Sequence, residues 1–208
     1  MRSPLAIAYL FILFAPMAMA ASPALKSIKE LKTLGIERQT LDYSCGASAL
    51  SILLTDYFND PFEEKELLAE MAARLSQQEI KESIEQGFSM LSLKKQAVRL
   101  GYIAHGVILP PEALNALQGP IIILLKSDNL NHFVVLKGVT EGRAFITDPA
   151  RGHMRMPVYK LFEQWDGEAL ILGRSDFGLP NEHGLSLPDS HAVAPERDLI
   201  RSIRQRFR

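Results

Sequence analysis

Apolar positions recur at helical spacing through the first half of the chain and at strand-like spacing through the second. Leu25, Ile28, Leu31 and Leu34, with lysines between them, predict a short amphipathic helix or arm that Gly35 ends. Ile36 to Thr40 is expected to be extended. From Cys45 a run of small residues leads into Leu50, Ile52, Leu53 and Leu54, which predicts a helix to about Phe58, stopped by Asn59-Asp60-Pro61. Phe62 to Leu75 puts Leu67, Leu68, Met71 and Leu75 on one face of a second helix. Ser76 and Glu79 form a capping-box pattern that opens a third helix, to Gln86, and Gly87 breaks it. Ser89 caps a fourth, carrying Leu93, Ala97 and Leu100, with Gly101 as its terminating glycine.

Beyond Gly101 the period changes. Tyr102 to Leu109 predicts a strand, Pro110-Pro111 a short helix, and Pro120 to Leu125 a buried strand. Ser127 to Asn131 is expected to be a polar loop. His132 to Val139 and Arg143 to Asp148 predict a hairpin around Thr140-Glu141-Gly142. His153 to Val158, a helical turn over Tyr159 to Trp165 and a strand over Ala169 to Leu172 complete the pattern. Helices first and an antiparallel sheet after them make an α+β domain, with a helical half packed on the sheet.

The two ends differ from this middle. Arg2, the apolar run Leu5 to Phe14 and Ala18-Met19-Ala20 have the form of a secretory signal peptide over residues 1–20, cut after Ala20. Residues 21–34 are then an N-terminal arm and 35–173 the domain. Residues 174–194 are rich in Pro, Gly, Ser and Asp, so 174–208 is expected to be a flexible tail. Its last part carries Leu199, Ile200, Ile203 and Phe207 at helical spacing among five arginines, a basic amphipathic segment able to make weak membrane contact or to dock on a partner protein. The signal implies an exported, periplasmic protein. The formal net charge of the 208-residue chain is −1, which leaves no basic footprint for nucleic acid.

Export changes the weight of the single cysteine, Cys45. Exported proteins usually carry cysteines as disulfide pairs, and this thiol has no partner within the chain. It is either a small buried core residue or a nucleophile. Asp42 and Ser44 precede it as N-cap residues, which places it in the first turn of a helix. Unpaired N–H groups and the helix dipole there favour the thiolate, the form that attacks. A thiolate needs a base, and the base an orienting group. Of the five histidines, His132 opens an apolar strand, while Asp148 ends the strand expected to pair with it. Folding at the Glu141 turn brings the two nearly opposite or one diagonal step apart, within reach of a hydrogen bond. The alternative is a surface hairpin whose end residues happen to be polar.

Several motifs in order resemble the bacteriocin-processing, double-glycine cysteine peptidases. They are Gln39-x5-Cys45-Gly46, Gly87-Phe88-Ser89-Met90-Leu91-Ser92-Leu93, Ala97-x-x-Leu100-Gly101-Tyr102, His132-Phe133-Val134-Val135-Leu136, Asp148-Pro149-Ala150-x-Gly152, and Phe162 with Trp165. The likeness runs from about Gly35 to Leu172. It implies a papain-like fold in which Cys45 is the nucleophile, His132 the general base and acid, Asp148 the orienting residue and Gln39 the oxyanion-hole donor. It also implies cleavage after small residues such as Gly. Two departures stand out: many family members are fused to a membrane transporter, and they work on the cytoplasmic side. A stand-alone form with a signal resembles the peptidase-like proteins of functional-amyloid secretion systems.

The expectation is an exported cysteine endopeptidase that cleaves a secreted polypeptide in support of protein or amyloid-subunit export. Its partners would be that substrate and proteins of the secretion system. Two other readings stay open: a non-cleaving module that binds unfolded substrate for a secretion system, and another acyl transfer on the same residues. No cofactor and no metal is implied, because one thiol with scattered histidines makes no ligand cluster.

Overall fold

The structure, a computed structural model, describes residues 27, 30, 32–36, 38–41, 43–127, 130–180 and 182–187. The expected signal peptide, most of the arm, Asp42 and the basic C-terminal segment lie outside them.

The helix α1 (Cys45–Asp56) carries the fold. Ten consecutive residues, Cys45 to Leu54, are buried, as expected of a helix that is apolar or small on every side. Leu50, Leu53 and Leu54 are fully enclosed, each contributing about 1.5–3 kcal/mol through burial. The helices α2 (Glu64–Ala72), α3 (Gln77–Gln86) and α4 (Met90–Arg99) follow. The Ser76/Glu79 capping box is formed, and Ser89 accepts the Ser92 N–H at 3.1 Å. Gly87 and Gly101 end their helices with φ of 79° and 90°, where a side chain would be strained.

Six antiparallel strands follow: β1 (Ile103–Ile108), β2 (Ile121–Ser127), β3 (Leu130–Thr140), β4 (Arg143–Asp148), β5 (Gly152–Pro157) and β6 (Glu168–Gly173). A 3-10 helix, Pro111–Ala116, precedes β2, and α5 (Val158–Phe162) lies between β5 and β6. Their order across the sheet is β1-β6-β2-β3-β4-β5. The helical layer packs on Ile122, Phe133, Val135 and Leu170 from one face. Leu114, Leu161 and Trp165 pack with Ile123, Val134, Leu136 and Ile146 on the other.

Two expectations change. The polar loop over Ser127 to Asn131 shrinks, because pairing between β2 and β3 continues to Ser127↔Leu130. The boundary at Gly173 falls inside the packed domain. Phe177 stacks obliquely on Phe58 at 4.8 Å, and Leu185 is completely buried. The Gly184 N–H donates to the Asp56 carbonyl at 2.9 Å. Apolar anchors within a Pro- and Gly-rich composition bind this segment to the end of α1, although the composition alone reads as a loop.

Candidate active site

The first turn of α1 sits against β3 because Gly46 has no side chain. A Cβ there would come within 3.1 Å of Leu93 and 3.3 Å of Phe133, the neighbour of His132. That close seat delivers Cys45, 5% exposed, to the ring of His132. Ser44 is the N-cap residue but does not cap with its side chain. Its Oγ instead donates to the Leu41 carbonyl at 2.8 Å and accepts the Leu41 N–H at 3.2 Å. The first-turn N–H groups of α1 are thus left without a cap from Ser44.

The pairing of His132 with Asp148 depends on a β-bulge. From the turn, Thr140 pairs with Arg143 and Gly138 with Phe145, but Leu136 then pairs with Ile146, so Lys137 is the extra residue. Without it, continued register would set Asp148 opposite Val135 and turn His132 to the other face. With it, Val135↔Thr147 places Asp148 opposite Val134 and one diagonal step from His132. Their side chains meet: Nε2 of His132 and Oδ1 of Asp148 are 2.9 Å apart. Nε2 being engaged, Nδ1 is the nitrogen left for Cys45, whose side chain also hydrogen-bonds with the ring.

Asp148 is 1% exposed and held by its own turn. Its Oδ1 accepts the N–H groups of Ala150 at 2.8 Å and Arg151 at 3.1 Å as well as the ring. Oδ2 has no hydrogen-bond partner, and Arg151 Nε lies 3.9 Å from it. Burial works against the charge on Asp148, but the bond and charge of His132 and the two backbone N–H groups outweigh it and hold the carboxyl below its ordinary range. Burial likewise opposes a charged His132. The bonds and charges of Asp148 and Cys45 overcome that and raise the ring to about 9. At neutral pH the ring is therefore an imidazolium, between a carboxylate on one nitrogen and the sulfur on the other.

Gln39 lies on the chain that runs into Cys45, half-buried. Its N–H donates to the Pro149 carbonyl at 3.2 Å, which ties it to the turn behind Asp148. Its Nε2 donates to the Leu41 carbonyl at 3.3 Å, and its Oε1 is buried without a partner. All four expected residues are thus at one place, Cys45, His132 and Asp148 as a bonded chain and Gln39 on the adjoining loop.

Two contributors escaped the sequence reading. One is the Lys137 bulge, which carries no residue signature. The other is Glu64, fully buried, whose carboxylate takes the Thr40 N–H; in the run Glu63-Glu64-Lys65-Glu66 it looks like any solvated charge. Among the described residues, no group of three His, Cys, Asp or Glu side chains is placed to hold a metal. A groove of about 570 Å³ is lined by Gly87, Met90, Leu91, Gly106, Ile108 and Asn131, the residue before His132, among others.

Residues 33–176 match the model of the peptidase C39 family. A Pseudomonas aeruginosa protein described as "Probable functional amyloid protease FapD" is 31% identical over 142 residues, 68% of this chain and 62% of that protein. The match therefore spans less than two thirds of that relative's length. The double glycine motif protease of an AMS/PCAT transporter, solved in complex with a leader peptide, superposes with a TM-score of 0.54 at 28% identity, over 67% of this chain and 91% of that one. The peptidase domain of Streptococcus ComA, a bifunctional ABC transporter, shares the fold, with a TM-score of 0.55 at 22% identity, over 66% and 96%. The expected papain-like α+β architecture is the one observed, and the chain belongs to the peptidase C39 family.

Proposed function

We propose that this protein is a cysteine endopeptidase acting on an exported polypeptide, with Cys45 as nucleophile. The observation that carries the reading is the His132 ring, bonded through Nε2 to the buried carboxylate of Asp148 while its other side meets the Cys45 sulfur. In this mechanism the thiolate attacks the peptide carbonyl carbon. Negative charge forms on the carbonyl oxygen and is received by the Cys45 N–H and the Gln39 amide. The C–N bond breaks as His132 gives its proton to the leaving amine. Water then attacks the thioester, His132 taking its proton, and the C–S bond breaks to release the acid and restore the Cys45 thiolate beside the charged ring. Asp148 holds the ring's orientation throughout and stabilises it whenever it is charged.

Membership in the peptidase C39 family supports the reaction class. The likeness to a probable functional amyloid protease supports a finer reading, in which the protein works in the periplasm and trims a polypeptide exported with an amyloid-secretion system. The double-glycine relative supports cleavage after a small residue. The presence of all the reacting groups argues against a module that binds without cutting.

The test is a peptide library incubated with the protein lacking residues 1–20, the cut sites mapped by mass spectrometry. Cleavage confined to bonds after Gly or Ala is expected. Equal cleavage after Leu or Phe would remove the small-residue specificity, and no cleavage of any member would remove the peptidase reading.

A further inference from the structure

We infer that Glu64 is a positioning residue for the oxyanion hole, acting through Gln39; this rests on the peptidase reading above. Glu64 is the first residue of α2 and is 0% exposed. A buried carboxylate is costly unless its oxygens are used. Here both face the Thr40 N–H, at 3.1 and 3.0 Å across 24 positions of sequence. The helix that carries Glu64 is itself fixed, because Leu67 and Met71 are buried in the core beneath α1. The carboxylate is therefore a rigid strut against the loop that leads to Cys45.

The Thr40 N–H belongs to the peptide group that follows Gln39. The peptide group that precedes Gln39 is pinned from the other side, by its N–H on the Pro149 carbonyl at 3.2 Å. Both peptide planes flanking Gln39 are thus fixed, one by the turn of Asp148 and one by Glu64. Gln39 is half-buried, and its amide makes a single long bond of 3.3 Å to the Leu41 carbonyl. That bond alone does not fix the amide, so its direction is set by the backbone on either side. An oxyanion donor displaced by a fraction of an ångström loses much of its effect, because its value lies in being placed before charge develops. Charge on Glu64 also strengthens its bond to the N–H, since hydrogen bonds to ionised acceptors are stronger than neutral ones.

The test is a double-mutant cycle read on cleavage of a small-residue peptide, with Cys45 alkylation by iodoacetamide as control. Alkylation proceeds by displacement at carbon and needs no oxyanion donor. Glu64→Met keeps side-chain length without an acceptor. It is expected to lower kcat about tenfold, leave KM and the alkylation rate within about twofold, and cause no further loss when added to Gln39→Ala. Glu64→Gln, which keeps one carbonyl oxygen, should recover most of the loss. Should Glu64→Met fail to fold, Glu64→Asp, which keeps the carboxylate but draws it back from the Thr40 N–H, completes the same cycle. An unchanged kcat would overturn the proposal, as would an equal loss with and without Gln39, or a parallel fall in alkylation. Those outcomes leave the peptidase reading intact. A wild-type protein that cuts nothing overturns both, and a Gln39→Ala protein with normal kcat overturns the oxyanion role together with this inference.

Discussion

The domain contains two polar clusters built from comparable parts. In one, Cys45, His132 and Asp148 meet between α1 and the β3–β4 hairpin. In the other, Tyr102 donates to Asp60 at 2.7 Å, and Arg174 approaches the same carboxylate at 3.6 Å. The Arg174 guanidinium also lies over Phe177 at 4.9 Å, Tyr102 at 5.8 Å and Phe58 at 6.0 Å. Burial, then the bond and charge of Asp60, raise the Tyr102 phenol beyond any working pH. The phenol therefore keeps its proton. The second cluster serves to join the start of β1, the end of α1 and the segment after β6. The first has a ring raised only to about 9, a sulfur on one side and a carboxylate oxygen without a partner on the other. A proton can move there. The difference between chemistry and scaffolding lies in that movable proton, not in polarity or burial.

The largest effect is expected at the sulfur. Cys45→Ala should abolish cleavage while costing about 1 kcal/mol or less of stability, because it removes one buried atom. Turnover and thermal melting of the same preparation check both halves. Next comes Asp148→Asn, expected to lower kcat about 10²–10⁴-fold by loosening the acid–base residue. Wild-type kcat/KM should fall as pH rises through about 9, where His132 loses the proton it gives to the leaving amine. Burial alone would lower the ring, so without the Asp148 charge that fall should move to lower pH. The folded ring lies above its ordinary 6.5, so its stabilising contribution is full below about 6.5 and is lost as pH rises through about 9. Melting temperature across that window tests the sign.

The scaffold side should answer in the opposite way. Leu185→Ala is expected to cost about 2–5 kcal/mol, with each kcal/mol lowering Tm by about 2–4 °C, while kcat below the transition stays at the wild-type value. A loss of kcat without a loss of Tm would place the 182–187 segment in the site. Smallest is Tyr102→Phe, about 1 kcal/mol for one hydrogen bond and no change in turnover. If it altered the pH profile of cleavage, the distinction between the clusters would fail.

What the sequence disclosed depended on whether the signal was local. The Ser76/Glu79 box, the Ser89 cap, Gly101 and the small-residue entry to α1 act within a few residues, and each element begins or ends where they direct. Cys45, His132 and Asp148 stood out because each has a rare type or a rare place: a lone Cys, a His opening an apolar strand, an Asp closing its partner; Gln39 has neither and entered only through the family resemblance. The Lys137 bulge was not, because pairing register is decided between strands, and an extra residue is silent in composition. The buried state of Glu64 was hidden for the same reason, since the Thr40 N–H that its carboxylate takes is 24 positions away. The packing of Phe177 and Leu185 was masked by the loop-forming residues around them.

The most direct measurement is inactivation by a thiol-directed epoxide followed on the intact protein by mass spectrometry, alongside peptide cleavage. With one cysteine in the chain, the adduct has a single thiol destination. One adduct per chain is expected, mapped to Cys45, forming in step with the loss of cleavage and forming more slowly in His132→Ala. Cleavage that persists in fully labelled protein would contradict Cys45 as the nucleophile.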